Sequence, residues 1–403
     1  MSAQRLPFEG FKVLDMTQGV AGPHSTMLLA QQGAEVFKVE PIDGDWGRTL
    51  GKMYGDTCAH AIIFNRGKRS VSLNMKERKA QEMVQKFAAE ADVIVESFRP
   101  GVMGRFGLSY DDVKKVNPNV IYLSVTGFGQ EGPYNKLPVT DSVIQAFSGW
   151  MSINRDEEGT PQRIGMIAVD VMTGLYAFQA ISSALMRKVR FGEGSYIDCS
   201  LMQAAAAFQA AKVMEHYLEG GQPQVLYVPV GTMKTSNGYI NVTAMREHHY
   251  VGLCKVLGKE EWATDPRFDS REKRIDQEKV LMPMVKAEFL KNTTEYWAEK
   301  LTEAGVMNAP VSTYDDFMGD EHVKEVSAIS WIAHQGMEGD LPMCNIPGFR
   351  RIEGGHDLDE APSIGQHTDE ILGKWGLSQG EIDDLVNTGV AGRGMPQQAA
   401  AAE

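Results

Sequence analysis

Cysteine is scarce and badly spaced for chemistry in this 403-residue chain: Cys58, Cys199, Cys254 and Cys344 stand far apart, and no CxxC pair occurs. Neither a zinc ribbon nor a disulfide framework is expected, and a reducing, cytoplasmic setting fits best. Uninterrupted apolar runs are short of the roughly 18 residues that a membrane span needs. The opening stretch MSAQRLPFEG has no apolar signal core, so a soluble protein with no membrane partner is expected. Positive charge is in deficit, with 40 Lys and Arg against 53 Asp and Glu and a net charge of -13, which argues against a nucleic-acid partner. Any anionic ligand has to be met by a local cluster of cations. The common catalytic signatures are missing as well. There is no GxSxG elbow, no HExxH and no GxxxxGK[ST], and the first strand–helix turn, DMTQGVAGPHS, does not give GxGxxG. His248 and His249 are adjacent, so they diverge on a helix or a strand, and no metal site is predicted.

What the chain does contain is alternation. FKVLDMT reads as a strand, GPHSTMLLAQQGA as a helix closed by Gly33, and EVFKVE as a second strand. The order repeats through SVSLNM, ERKAQEMVQKFAAEA, DVIVES and IYLSVTG. Strands alternating with helices predict an α/β fold with a mainly parallel sheet covered on both faces. An uncharged helix follows from Val171 to Met186, then GSYIDCSLMQAAAAFQAAKVMEHYL as a strand and a second, very apolar helix. Both helices are expected inside a core or a subunit interface. EGGQPQVLYVPVG is rich in glycine and proline and reads as a linker to a smaller α/β domain. The tail MPQQAAAAE is expected to fray.

Two features carry chemistry. NRGKRSVSLNMK gathers Arg66, Lys68, Arg69 and Lys76, and SFRPGVMGRFG places Arg99 and Arg105 after an apolar strand. Loops at the carboxyl ends of strands in a doubly wound sheet are where ligands bind, so these cations suit phosphates, with a solvated basic surface as the alternative. The second feature is Asp170, a lone acid in IGMIAVDVMTGLYAFQAISSALMRK. A short acid at a helix start is either an N-cap contributing about 0.5–2 kcal/mol or a partly desolvated carboxylate able to attack an activated acyl group. Local pattern does not choose between them.

Together, LPFEGFKVLDMTQGVAGPHSTMLLAQQGAEVFKVEP, NRGKRSVSLNMK, VIVESFRPGVMGRFGLSYDDV, NPNVIYLSVTGFGQEGP, AVDVMTGLYAFQAISSALMRK, GEGSYIDCSLMQA and GQHTDEIL resemble the class III coenzyme A transferases in order along the chain. The resemblance implies a Rossmann-like large domain plus a small α/β domain in an interlocked homodimer. Its large domain would comprise residues 1–220 and 346–403, its small domain 236–325, with linkers at 221–235 and 326–345. It makes Asp170 the nucleophile, forming aspartyl anhydride and aspartyl-CoA thioester intermediates, with acyl-CoA and carboxylic acid substrates and no tightly bound cofactor. It nominates Val20, Ala21, Leu73, Lys76, Ser97, Phe98 and Arg105 as coenzyme A contacts. Pro41 and Pro138 depart from the pattern, standing where formyl-CoA transferases have basic contacts.

Racemases of this fold use a histidine directly before an aspartate. Here Thr140 precedes Asp141, which disfavours a 2-methylacyl-CoA racemase and leaves Asp141 an assisting role or a helix cap. In place of the glycine run of formyl-CoA transferases stands NVTAMREHHYVG, whose Arg246 is suited to the distal carboxylate of a dicarboxylate such as succinate. A non-catalytic coenzyme A-binding protein is the remaining alternative.

Overall fold

The computed structural model describes residues 5–156, 158–221 and 225–394. The alternating segments fold into a seven-stranded sheet. Its parallel strands lie in the spatial order Arg69–Leu73, Glu35–Glu40, Lys12–Met16, Val93–Glu96, Ile121–Thr126 and Ser195–Ser200. In chain order that is 3-2-1-4-5-6, the doubly wound arrangement in which the winding reverses between the first and fourth strands. Val13 pairs with Val36 on one side and Val93 on the other, and Leu123 pairs with Ile197.

Both faces of these strands are apolar, so each strand feeds two cores. Val13, Val93, Val95, Ile121 and Leu123 pack on one face with helices Ala21–Gln31, Ala168–Phe191 and Leu201–Phe208. Leu14, Ile94 and Tyr122 point to the other, against helices Arg78–Ala88, Tyr110–Val116, Thr368–Lys374 and Gln379–Asn387. The last two helices come from the far end of the chain. After them Ala391–Gly392 pairs antiparallel with Leu73 and Ser72 and closes the sheet edge. Two residues, one of them glycine, carry no strand pattern, and this strand was not predicted.

The chain divides into two compact units, Met1–Ala210 with Ser327–Glu403, and Ala211–Val326. The segment read as the second linker, 326–345, contains an antiparallel hairpin, Ile329–Ala333 with Asp340–Cys344, whose Ile332 and Met343 are buried with Ile62 and Ile352. The linker read at 221–235 lies partly outside the described residues, and the tail MPQQAAAAE wholly outside them. The second unit has a three-stranded antiparallel sheet, with Tyr239–Thr243 between Val230–Lys234 and Met307–Pro310. Its core gathers Tyr250, Trp262, Phe268, Phe289 and Trp297.

The very apolar second helix departs from expectation. It breaks at Gln209, whose side-chain amide donates to the Ser148 carbonyl at 2.7 Å, giving Leu201–Phe208 and Ala210–Leu218. The second piece buries no residue: Tyr217 is 80% and Leu218 72% exposed. A core position is therefore excluded for it within one chain. No described helix is long and apolar enough to cross a membrane.

Candidate active site

Across the first three strands in chain order runs a chain of fully buried charges. Lys68 pairs with Asp15 at 2.9 Å and Lys38 with Asp45 at 2.9 Å. Asp15 Oδ1 accepts the Thr17 N–H at 2.9 Å and Oδ2 the Thr26 hydroxyl at 2.7 Å, while the Lys38 ammonium donates to the Thr17 carbonyl at 2.9 Å. Asp45 Oδ1 accepts the N–H groups of Gly19 and Gly47, both at 2.8 Å. Burial alone would raise the Asp15 pKa, but Lys68 and Lys38 bring it down to about 2. Burial likewise opposes the Lys38 charge, and Asp45, Asp15 and Glu40 more than offset it, so its pKa is raised. These ion pairs fix the turn Thr17–Val20 from beneath. Gly19 has φ +83°, and a Cβ there would run into the Trp46 indole, so the turn and the tryptophan close on each other only with glycine.

This assigns the basic run that began at Arg66. Lys68 and Arg66 are buried, and Arg69 bonds Glu370. Solvated surface does not describe the buried Lys68 and Arg66, and Arg69 is engaged in a partly exposed ion pair. Of that run, Lys76 is exposed and lines a cavity.

Two cavities open at the carboxyl ends of the strands and share Gln18. One, of about 350 Å³, is lined by Leu73, Lys76 and Phe98 together with Pro41, Ile42 and Phe106. The other, of about 330 Å³, holds Val20, Ala21, Ser97, Asp141 and Asp170. The Gln18 N–H donates to Ser97 Oγ at 2.9 Å, which ties the two loops across the switch point. Arg105 is exposed and lines neither; its neighbour Phe106 meets Phe98 edge-on at 6.0 Å between centroids. Six of the seven nominated coenzyme A contacts thus line one of two adjoining cavities.

Asp170 sits in the first turn of the 24-residue helix Ala168–Phe191, but it does not cap it: the N-cap position is Ile167, with no side-chain cap of its own. Asp141 supplies the cap from another helix. Its Oδ2 accepts the N–H groups of Val169 at 2.6 Å and Asp170 at 3.0 Å, and its Oδ1 accepts from Gln145 Nε2 at 2.5 Å. Of the roles considered for the two acids, the cap falls to Asp141, and the Asp170 carboxylate is left free of hydrogen bonds from the described residues. No described residue hydrogen-bonds the Asp170 side chain. Burial, and then the Asp141 charge, push its pKa from 3.8 up to about 7.

Close helix packing sets this carboxylate beside the first turn. Gly174 lies one turn on, where a Cβ would stand 2.6 Å from His24 Nδ1 and 2.9 Å from the Ala21 carbonyl. His24 Nδ1 donates to the Val171 carbonyl at 3.0 Å, and burial lowers its pKa to about 4, so the ring is neutral.

Residues 8–368 match the sequence profile of CoA-transferase family III. The chain belongs to that family. Human succinyl-CoA:glutarate CoA-transferase is 34% identical over 383 residues, covering 91% of this chain and 85% of that protein. Acetyl-CoA:oxalate CoA-transferase of Acetobacter aceti is 34% identical over 313 residues, covering 76% and 80%. A CAIB/BAIF family protein from Brucella suis, solved by crystallography, superposes with a TM-score of 0.81 at 30% identity over 92% of this chain and all of that one.

In this family III chain Arg246 belongs to the second unit. It precedes helix Glu247–Val256, and its N–H donates to Nδ1 of the buried His249 at 3.3 Å, so that histidine serves the helix start. Gln18, Trp46 and Arg163 are among the cavity residues that escaped the sequence reading. Trp46 had a signal, an aromatic in the glycine-flanked DGDWGR after a strand. Arg163 had none, since a lone arginine in a loop looks like any solvated cation.

Proposed function

We propose that this protein transfers coenzyme A from an acyl-CoA donor to a carboxylic acid, with Asp170 as the nucleophile. The observation that carries the proposal is a half-buried carboxylate, with no hydrogen-bond donor among the described residues, in a cavity at the switch point of the sheet. The Asp170 carboxylate attacks the thioester carbonyl carbon, the C–S bond breaks, and coenzyme A leaves as thiolate, giving a mixed aspartyl anhydride. The thiolate then attacks the aspartyl carbonyl and releases the donor acid. The acceptor carboxylate attacks the resulting aspartyl thioester, expelling thiolate again, and that thiolate takes the acyl group from the second anhydride. Covalent splitting keeps the thioester's free energy available to the acceptor. The helix Ala21–Gln31 begins on the cavity rim without a side-chain cap. Its first-turn N–H groups are suited to the oxyanion that forms at each attack.

Lys76 and Arg105 are assigned to the phosphates of coenzyme A and Phe98 to its adenine end, with Pro41 in that cavity marking altered recognition. The substrates are read as dicarboxylic, in line with the succinyl-CoA:glutarate transferases among the relatives, with Arg246 as a candidate carboxylate contact. The exposed apolar side chains of Ala210–Leu218 fit burial against a second copy in an interlocked homodimer.

The test is incubation with succinyl-CoA, trapping with hydroxylamine, and mass mapping of the modified residue. A hydroxamate at Asp170 in the native enzyme, absent from Asp170→Ala along with turnover, is the expected result. Undiminished turnover by Asp170→Ala would remove the covalent mechanism.

A further inference from the structure

We propose that Arg163 recognises the second carboxylate of a dicarboxylic substrate within the Asp170 cavity. This rests on the reading of Asp170 as the acyl-accepting nucleophile. Among the described residues lining that cavity, Arg163 is the one lysine or arginine. Among the described residues it forms no ion pair, although the chain carries 53 acids, and its guanidinium donates one long hydrogen bond, 3.4 Å from Nη1 to the neighbouring Ile164 carbonyl. Arg163 is exposed, so its guanidinium donors face solvent at the cavity and are open to a carboxylate ligand.

Its position is coupled to the nucleophile rather than left to a free loop. On one side, Gln162 is held by two backbone contacts with Asn154: its N–H donates to the Asn154 carbonyl at 2.7 Å, and its carbonyl accepts from Asn154 Nδ2 at 2.9 Å. On the other, the Ile164 N–H donates to Oε1 of the buried Gln145 at 2.9 Å. Gln145 in turn donates to Asp141, and Asp141 accepts the Asp170 N–H. A continuous run of hydrogen bonds therefore joins the backbone beside Arg163 to the backbone of the attacking residue.

The rest of the lining suits a short methylene chain carrying polar ends. Val125, Val139, Ile167 and Leu201 are apolar, and Thr140 and Ser142 supply hydroxyls. An acyl carbon at Asp170 and a free carboxylate at Arg163 are the two ends of a dicarboxylic acyl group, and both residues line the same cavity. A monocarboxylic acyl group would leave the arginine unused.

The experiment compares acyl-enzyme formation from succinyl-CoA and from butyryl-CoA, which differs at the terminal carboxylate, by rapid mixing and hydroxylamine trapping. Arg163→Gln is expected to lower the rate constant for succinyl-CoA by roughly 30-fold or more, the scale of a lost charge-assisted contact, and that for butyryl-CoA by less than about threefold. Arg163→Lys should fall between the two, since an ammonium keeps the charge without the fork. The butyryl-CoA reaction also verifies that each variant is folded. Equal losses for both thioesters would move Arg163 to coenzyme A binding and overturn the proposal. Selective loss in Arg246→Gln with none in Arg163→Gln would overturn it too. Failure of the native enzyme to form any Asp170 adduct would instead sink the nucleophile reading on which this rests. An adduct with unchanged succinyl preference in Arg163→Gln removes the Arg163 assignment alone.

Discussion

Keeping the Asp170 carboxylate desolvated should cost stability, and the cost should depend on pH. Its pKa is raised from 3.8 to about 7, so the folded protein holds this proton more tightly than the unfolded chain does. The sign follows from linkage: below the unfolded value both states are protonated and there is no penalty, and as pH rises toward the folded value the unfolded chain ionises first and gains. At about 1.36 kcal/mol per unit, the full penalty above neutral pH is about 4 kcal/mol, of which about 2.5 kcal/mol develops between about pH 5 and about pH 8. Partial exposure of the carboxylate makes these upper bounds. Asp170→Asn removes the titrating group and keeps the shape. Urea denaturation at the two pH values should show the variant gaining on the native protein at the higher pH, while acyl-enzyme trapping is lost. Parallel pH profiles for the two proteins would refute the idea that a desolvated Asp170 titrates in this window.

Replacing Asp141 by asparagine retains an acceptor for the helix N–H groups and removes the neighbouring charge, so the Asp170 pKa should fall. The acid limb of the rate profile should then move to lower pH, whereas Asp141→Ala should also cost about 0.5–2 kcal/mol through the lost cap. Gly174→Ala places a Cβ 2.9 Å from the Ala21 carbonyl. Strain of about 1–3 kcal/mol is expected, with a raised KM for acyl-CoA as the first helix shifts. Lys38→Met leaves Asp45 buried and unpaired, and thermal unfolding should register a loss of about 3–5 kcal/mol. Lys12→Met, which breaks an exposed pair with Glu90, should change the same measurement by less than about 1 kcal/mol.

The parallel sheet was legible because its signals are local. Strands such as DVIVES are apolar on both faces, the helices between them have a clear period, and Gly33 closes the first helix. The Ile329–Ala333 hairpin reads as linker because its strands are short and glycines fill its turn and the segment after it. Lys38 and Lys68 were beyond reading for a different reason. Their partners Asp45 and Asp15 come from other strands and turns, and nothing local separates a buried lysine from a solvated one. The break at Gln209 was equally hidden, since the Ser148 carbonyl that Gln209 bonds lies far away in sequence.

By itself the sequence determined the α/β alternation, membership in a recognisable pattern, and Asp170 as an acid out of place in an apolar helix. All three depend on residue type and spacing along the chain. Tertiary structure decided which acid caps and which is free. The helix that starts at Ala168 takes its cap from Asp141, 29 residues before Asp170, and this leaves the Asp170 carboxylate without a donor among the described residues. A cap is a matter of which oxygen reaches two N–H groups in space, and the same packing that brings Asp141 there desolvates Asp170 and sets Arg163 on the wall of its cavity.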